Sequence, residues 1–550
     1  MLSVALERYS AACLAIQNSY ARGKKPHTID PQVLPRLDAE IDLAISLQSK
    51  LAGAKAAKSW SRNCAHTHAT VNDIPSEVLA YIFHLVVRSQ PCAKMDCREV
   101  DKEVDPMYPA VLSRVCSRWR SIALSTPTLW THIDISTSTL LNKQHLDCLT
   151  KLHLSHAGQL SLNVHIFNAR GYEISQLPHG RGIDSTILGS ITWLAGRTSS
   201  FNIDELSNVN PYRLSRILSN IFQDSTPGTL TCLTISMSPI NFHHAMRFLK
   251  ANDDPDSNGW IMDLPKEQLE SVLSRVSVLR LAGPYLTWTS RAYHGLVELR
   301  LVRREVINES VLVGILHSSP GLRILQLNLQ IDSLVSIDAQ VTPVVLRDLE
   351  VLILWQITGT LLPSLLRWLA PGPKPLQFGF EVQDEMYMPN SRDIGLKADS
   401  SVSFLLRSRL KIVYGVYMGI ISAIELLELS PGIKELAISY TTFDVFPSHD
   451  AVVRSTFECH LTYFQISYSS VHIEAVLAFL SHLTPTFIIG VVVFHDCRFF
   501  RHYVQILDDQ VSVYVEELKA SYPDVRFIVQ SREEPHLVHV ESWGPSAFSE

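Results

Sequence analysis

Three observations predict a mainly α-helical N-terminus followed by a longer α/β array of repeated units. Apolar residues fall at helical spacing within residues 1–60 and again in two stretches between 73 and 130. A six-residue pattern, apolar-x-x-apolar-x-apolar, then returns many times along the rest of the chain. The composition supports a large buried core, with 46% hydrophobic and only 19% charged residues in 550. That length would otherwise suggest about three or four ordinary domains.

The first element, residues 1–60, reads as a helical segment. Leu34, Leu37, Ile41, Ala44, Gln48 and Leu51 step by three and four, a short coiled-coil-like seam with a polar residue at one core position. So short a seam is expected to pack on the neighbouring helix, about Val4 to Tyr20, rather than stand alone. The polar stretch SRNCAHTHATVN closes this region, and residues 61–72 read as a linker.

The second element, residues 73–130, begins with DIPSEVLAYIFHLV. Val78, Leu79, Ile82, Phe83 and Val86 form one wide apolar helical face. Pro75 suits a helix start, and Glu77 lies near the positive end of the helix dipole. A second helix is expected over PAVLSRVCSRWRSIALSTPTLW. There Val111, Leu112, Val115, Cys116, Trp119, Ile122 and Ala123 share a face, Arg114, Arg118 and Arg120 lie opposite, and Ser125, Thr126 and Pro127 end it. Two short helices with faces this broad cannot satisfy both by packing on each other alone, so something else must cover the remainder. Between them, at about 88–110, PCAKMDCREVDKEVDPMYP reads as an exposed acidic insertion.

The third element, residues 131–530, carries the repeats. They read LTCLTI from Leu230, VSVLRL from Val276, LVELRL from Leu296, LRILQL from Leu322, LEVLIL from Leu349, IKELAI from Ile433 and LTYFQI from Leu461. Weaker copies lie near Phe201, Leu376 and Leu410. The shorter intervals, 20 to 28 residues, are those of a leucine-rich repeat. The last apolar-x-apolar of each copy is a short strand with alternate side chains inward, and a helix or turn returns the chain. ESVLVGILHSSPG and AIELLELSPG are such returns, and the shared SPG marks a helix stop. No copy buries its own face; stacking does. The expectation is an irregular α/β leucine-rich-repeat solenoid, with an ordinary α/β domain of parallel strands as the alternative. FIIGVVVF, a helix near Gln510 to Tyr522 and a strand at Val525 to Val529 read as terminal repeats or a cap, and residues 531–550 as a tail.

The second element resembles the F-box. The matching text is IPSEVL (Ile74 to Leu79), the pair Ile82 and Phe83, VCSRWRSIA (Val115 to Ala123) and PTLW (Pro127 to Trp130). Ile74 stands where the family usually has leucine, and the insertion lengthens the first connection. Helices upstream and leucine-rich repeats downstream are a combination similar to many fungal F-box proteins. The resemblance implies docking on the Skp-type adaptor of cullin-RING ubiquitin ligases. It implies that Ile74, Pro75, Glu77, Val78, Leu79, Ile82 and Phe83 approach or support that surface, and that Val115, Cys116 and Trp119 form its other half. Of these, Pro75, Leu79 and Ile82 are expected to touch the partner, whereas Val111, Leu112 and Ile122 are expected to pack the domain itself. Pro127 and Trp130 are expected to fix the junction to the first repeat.

Other classes find no support. A net charge of −6 gives no basic field for nucleic acid. The strongest apolar run, PTFIIGVVVF, is too short for a membrane helix, and MLSVALERYS is a poor signal peptide, so an intracellular protein, cytoplasmic or nuclear, is expected. Nine scattered cysteines read as reduced. Neither a phosphate-binding G-x-x-x-x-G-K-[ST] loop nor a G-x-S-x-G elbow occurs, and PHGRGIDS lacks a third glycine. Cys64, His66, His68, Cys92 and Cys97 lack standard zinc spacing, so no metal and no cofactor are expected. His243 and His244 read as surface residues, and Glu99, Asp101, Glu103 and Asp105 as a solvated loop. The expected function is a non-enzymatic substrate receptor for a target protein that the sequence does not identify; the alternative is an F-box scaffold acting outside ubiquitin transfer. Tyr440, Tyr463 and Tyr468 are candidate exposed aromatics at strand ends.

Overall fold

In the computed structural model the described residues are 2–21, 34–63, 71, 73–89, 109–136, 143–167, 194–204, 211–237, 248–254, 259–332, 334, 341–358, 361–383, 396, 398–443, 459–483, 487–502, 504–506 and 508–531. The chain divides into two compact units, Met1–Ile82 and Phe83–Glu550. The insertion at about 88–110 except its last residues, the cluster Cys64, His66, His68, Cys92 and Cys97, the run Glu99 to Asp105, PHGRGIDS, His243 and His244 lie outside the described residues.

The first unit holds helices Leu2–Ala21 and Leu34–Asn63. The expected burial of the seam does not occur. Ile41 and Leu51 are 56% and 43% exposed, and only Leu37 and Ala44 are half-buried. The opposite helix likewise leaves Val4, Leu6, Leu14 and Ile16 exposed. The reason is length and pattern: fewer than three heptads with a glutamine in the seam do not define a tight two-helix packing. A hydrogen bond of 3.4 Å from the Tyr9 hydroxyl to Glu40 Oε2 links the pair.

Among the described residues of the second unit, fourteen strands from His132–Ser136 to Arg526–Gln530 form one sheet and lie in it in chain order. Each neighbouring pair is parallel. The six-residue pattern explains why. In all seven strong copies its three apolar positions are at most 3% exposed. Strand alternation sends the last two of them to one face. Helices cover that face: Phe404 of Asp399–Arg407 lies against Phe378, and Phe479 of Ile473–Leu483 against Phe464. The weaker copies are strands too, at Thr198–Asp204, Leu376–Gln383 and Leu410–Val416. Two further strands, His132–Ser136 and Leu162–Phe167, precede every copy recognised by pattern.

The SPG signal has a packing role beyond ending helices. The Ser319 hydroxyl donates to the Tyr293 carbonyl and accepts from the Leu296 amide, tying each turn to the one before. The Ser430 hydroxyl reaches the Leu405 carbonyl in the same way. Buried Glu309, at the start of helix Glu309–His317, accepts from Arg367 Nη2 (2.8 Å) and Trp368 Nε1 (2.7 Å), which joins it to the next helical return. Among the described residues no helix is long and apolar enough to cross a membrane.

Candidate functional site

Helix Ser76–Ser89 opens with the Leu79 amide donating to the Pro75 carbonyl at 3.1 Å, so the proline precedes the first hydrogen-bonded turn and loses nothing by lacking an N–H. The single wide face expected here resolves into two. Leu79 and Phe83, one turn apart, are buried, and Ile82 and Val86 are half-buried beside them. Val78, Tyr81 and Leu85 form a second stripe at three- and four-residue spacing, exposed by 46%, 64% and 47%. Ile74 is half-buried, and Pro75 and Glu77 are exposed.

The next segment is not one helix. Leu112–Val115 and Ser117–Leu124 are separated at Cys116, which is extended with φ −156°. The Cys116 thiol accepts the Trp119 amide at 3.4 Å and so caps the second helix, a role usually filled by serine or aspartate. The break turns Val115 outward, 57% exposed, and leaves Val111 at 42% where packing was expected; Leu112 and Ile122 are buried. Trp119 is half-buried, its ring 4.8 Å from that of Phe83.

Thr126 Oγ1 and Ser125 Oγ donate back to the Ile122 carbonyl and end the helix. Pro127 starts the short 3-10 turn Pro127–Trp130. The Trp130 indole is 1% exposed and donates to the Ala123 carbonyl at 2.8 Å. Its ring also meets His153 and His156, which fixes the path into the first strand. His84 Nε2 shares a hydrogen bond with Thr128 Oγ1, and burial together with the nearby Arg88 holds the His84 pKa down.

The sheet offers a second candidate surface. Tyr417, Tyr440 and Tyr468 stand at the same offset after three adjacent strands, all at positive φ (59°, 54° and 50°). Each amide donates to the carbonyl of the last residue of the next strand. That bond recurs although the left-handed conformation costs a non-glycine residue about 1–2 kcal/mol. The rings form a column, with centroids 5.9 Å and then 5.2 Å apart. Tyr417 and Tyr440 are exposed, and Tyr468 and Tyr463 half-buried. Below them Trp355, Tyr414, Val416 and Ala437 make a buried apolar cluster.

Reading the sequence alone missed Tyr81, Leu85 and Tyr417. The first two continue the Val78 spacing, and Tyr417 follows its strand at the offset of Tyr440 and Tyr468, so both signals were present. A family model described as F-box-like matches residues 71–136. No curated protein matches the chain.

Proposed function

We propose that the protein is the substrate-recognition subunit of an SCF-type cullin-RING ubiquitin ligase. The observation that carries this reading is the F-box-like match over residues 71–136, in a segment that leaves large apolar side chains at the surface. An F-box-like domain points to binding of a Skp-type adaptor. In the proposed interface Pro75, Glu77, Val78 and Val115 meet the adaptor. Ile74, Ile82, Cys116 and Trp119 contribute at its half-buried margin, and Leu79 and Phe83 support it from beneath. Apolar side chains with few charges suit the centre of a stable interface.

The parallel strands would then act as a leucine-rich-repeat-like solenoid that presents a target protein, with the tyrosine column as the contact surface. Placing the target near a ubiquitin-charged enzyme is a proximity effect, and the chain itself needs no catalytic residue. The recurring six-residue pattern and strands stacked in chain order favour this over an α/β domain built around a pocket.

The test is co-purification of the full chain with a Skp-type adaptor, wild type against Val78→Asp and Val115→Asp. Both positions are exposed, so neither change should unfold the protein. Loss of the complex in both, with unchanged melting curves, is the expected result. A well-folded wild type that does not retain the adaptor overturns the reading. Adaptor binding without ubiquitination of any bound protein would favour a scaffold.

A further inference from the structure

The first two strands of the sheet bring together side chains far apart in sequence. Strand His132–Ser136 reads HIDIS and strand Leu162–Phe167 reads LNVHIF. Ile133 and Ile135 are buried on the face covered by helices, so alternation places His132 and Asp134 together on the other face. Parallel pairing sets Asp134 directly opposite His165, whose neighbours Val164 and Ile166 are likewise turned to the helical face. Two histidines and a carboxylate therefore share one patch of one face, held by backbone rather than by a loop.

Their ligating atoms converge. Asp134 Oδ1 lies 3.1 Å from His132 Nε2 and 2.9 Å from His165 Nδ1, and all three atoms lie within 4.8 Å of one another. The side chains are 32%, 8% and 1% exposed for His132, Asp134 and His165. Around a tetrahedral ion with bonds of about 2.0–2.2 Å, neighbouring ligand atoms stand about 3.3–3.6 Å apart. The two short edges, 3.1 Å and 2.9 Å, are about 0.2–0.7 Å below that spacing, so the ligands move apart slightly to take the ion.

We propose that His132, Asp134 and His165 form a binding site for a divalent transition-metal ion of the zinc class. Two imidazoles and one carboxylate are a donor set that such ions take. The ion takes the place of the proton on each ring nitrogen that faces Asp134 Oδ1: a protonated ring releases that proton to solvent, and a neutral ring carries it on its other nitrogen instead, so each ligand is a neutral imidazole. Surrounding groups hold the ligands in place. The His132 carbonyl accepts from His153 Nδ1 at 2.7 Å, and the Phe167 ring stacks on His165 at 5.3 Å between centroids. On the next strand Asn202 pairs with His165, and its buried Oδ1 has no hydrogen-bond partner among the described residues. The partly exposed His132 side leaves a fourth position for water or a ligand from another molecule. Because His132 and Asp134 end the F-box-like stretch, the ion clips that stretch to the second strand of the sheet.

The site is tested on the full-length chain after dialysis against a chelator. Cobalt(II) is titrated and followed by its visible absorption, and zinc(II) is then added in competition. The expected result is one equivalent bound per chain, a tetrahedral nitrogen and oxygen spectrum, displacement by zinc, and a rise in Tm with zinc. His132→Ala, which removes a partly exposed ring, and the near-isosteric Asp134→Asn should each weaken binding at least tenfold. Each should also abolish the zinc-dependent rise in Tm, read against that variant's own metal-free melt. Three results overturn the proposal: no stoichiometric binding, equal binding by His132→Ala, or a thiolate-to-cobalt charge-transfer band that places the ion on cysteines.

Discussion

Helix Ser76–Ser89 and strand Ile324–Asp332 are both strongly apolar, yet they treat that apolar surface in opposite ways. On the helix Val78, Tyr81 and Leu85 are between 46% and 64% exposed. On the strand Leu325, Leu327, Leu329 and Ile331 are between 0% and 8% exposed. A strand inside a stacked sheet gains a neighbour on each side and a helix above, so little of it stays wet. On this short helix one stripe is buried, and among the described residues nothing covers the second. The same residue types are core in one region and candidate interface in the other, and the difference lies in how many neighbours the topology supplies.

The contrast is broken most severely from the core side. Glu309→Ala should cost about 3–5 kcal/mol, because it leaves the Arg367 guanidinium buried without its carboxylate and also removes the acceptor of Trp368 Nε1. Chemical denaturation measures it. A loss below about 1 kcal/mol would mean that water reaches Arg367 and that the helical layer is looser than the burial implies.

Leu325→Ala should cost about 2–5 kcal/mol, since the leucine is fully buried and its removal leaves a cavity between sheet and helix. Tyr81→Ala is its counterpart on the exposed stripe and should change stability by no more than about 0.5 kcal/mol. Its effect should be seen in adaptor binding instead. Equal denaturation midpoints for the two variants would erase the distinction between core and interface.

How much of this could be read beforehand depends on how local each signal is. IPSEVL and VCSRWRSIA are each unbroken and stand in order, so they marked the F-box-like segment directly. The strands that begin at Cys232, Val278, Glu298, Ile324, Val351, Glu435 and Cys459 were legible because each carries its own apolar spacing, and stacking only adds to it. His132–Ser136 and Leu162–Phe167 were not, because HIDIS and LNVHIF place polar residues where the pattern expects none of note. The meeting of Asp134 with His165 depends on strand register, which no spacing within either strand encodes. The helix break at Cys116 was hidden because a thiol cap looks, in sequence, like one more apolar residue on the stripe. Which residues of the first helix face outward was equally hidden: Val78 and Leu79 are adjacent and alike, and only the packed structure separates them.

The smallest effect sharpens the comparison at the sheet's surface. Glu350 accepts from Arg323 and Lys374, and these hydrogen bonds and charges hold its pKa at about 2, below the usual 4.5. A carboxyl whose folded pKa is depressed stabilises the fold above its unfolded pKa. That contribution is complete above about 4.5 and is lost as pH falls through about 2. The side chains of the trio keep between 32% and 54% of their surface in water, so screening reduces the contribution of Glu350 to at most about 1 kcal/mol. Glu350→Gln should therefore lower stability slightly at neutral pH and approach wild type near pH 2, with the gap narrowing in high salt. A gap that stays constant across that window would mean the side chain acts through packing, as the leucines beneath it do, and not through its charge.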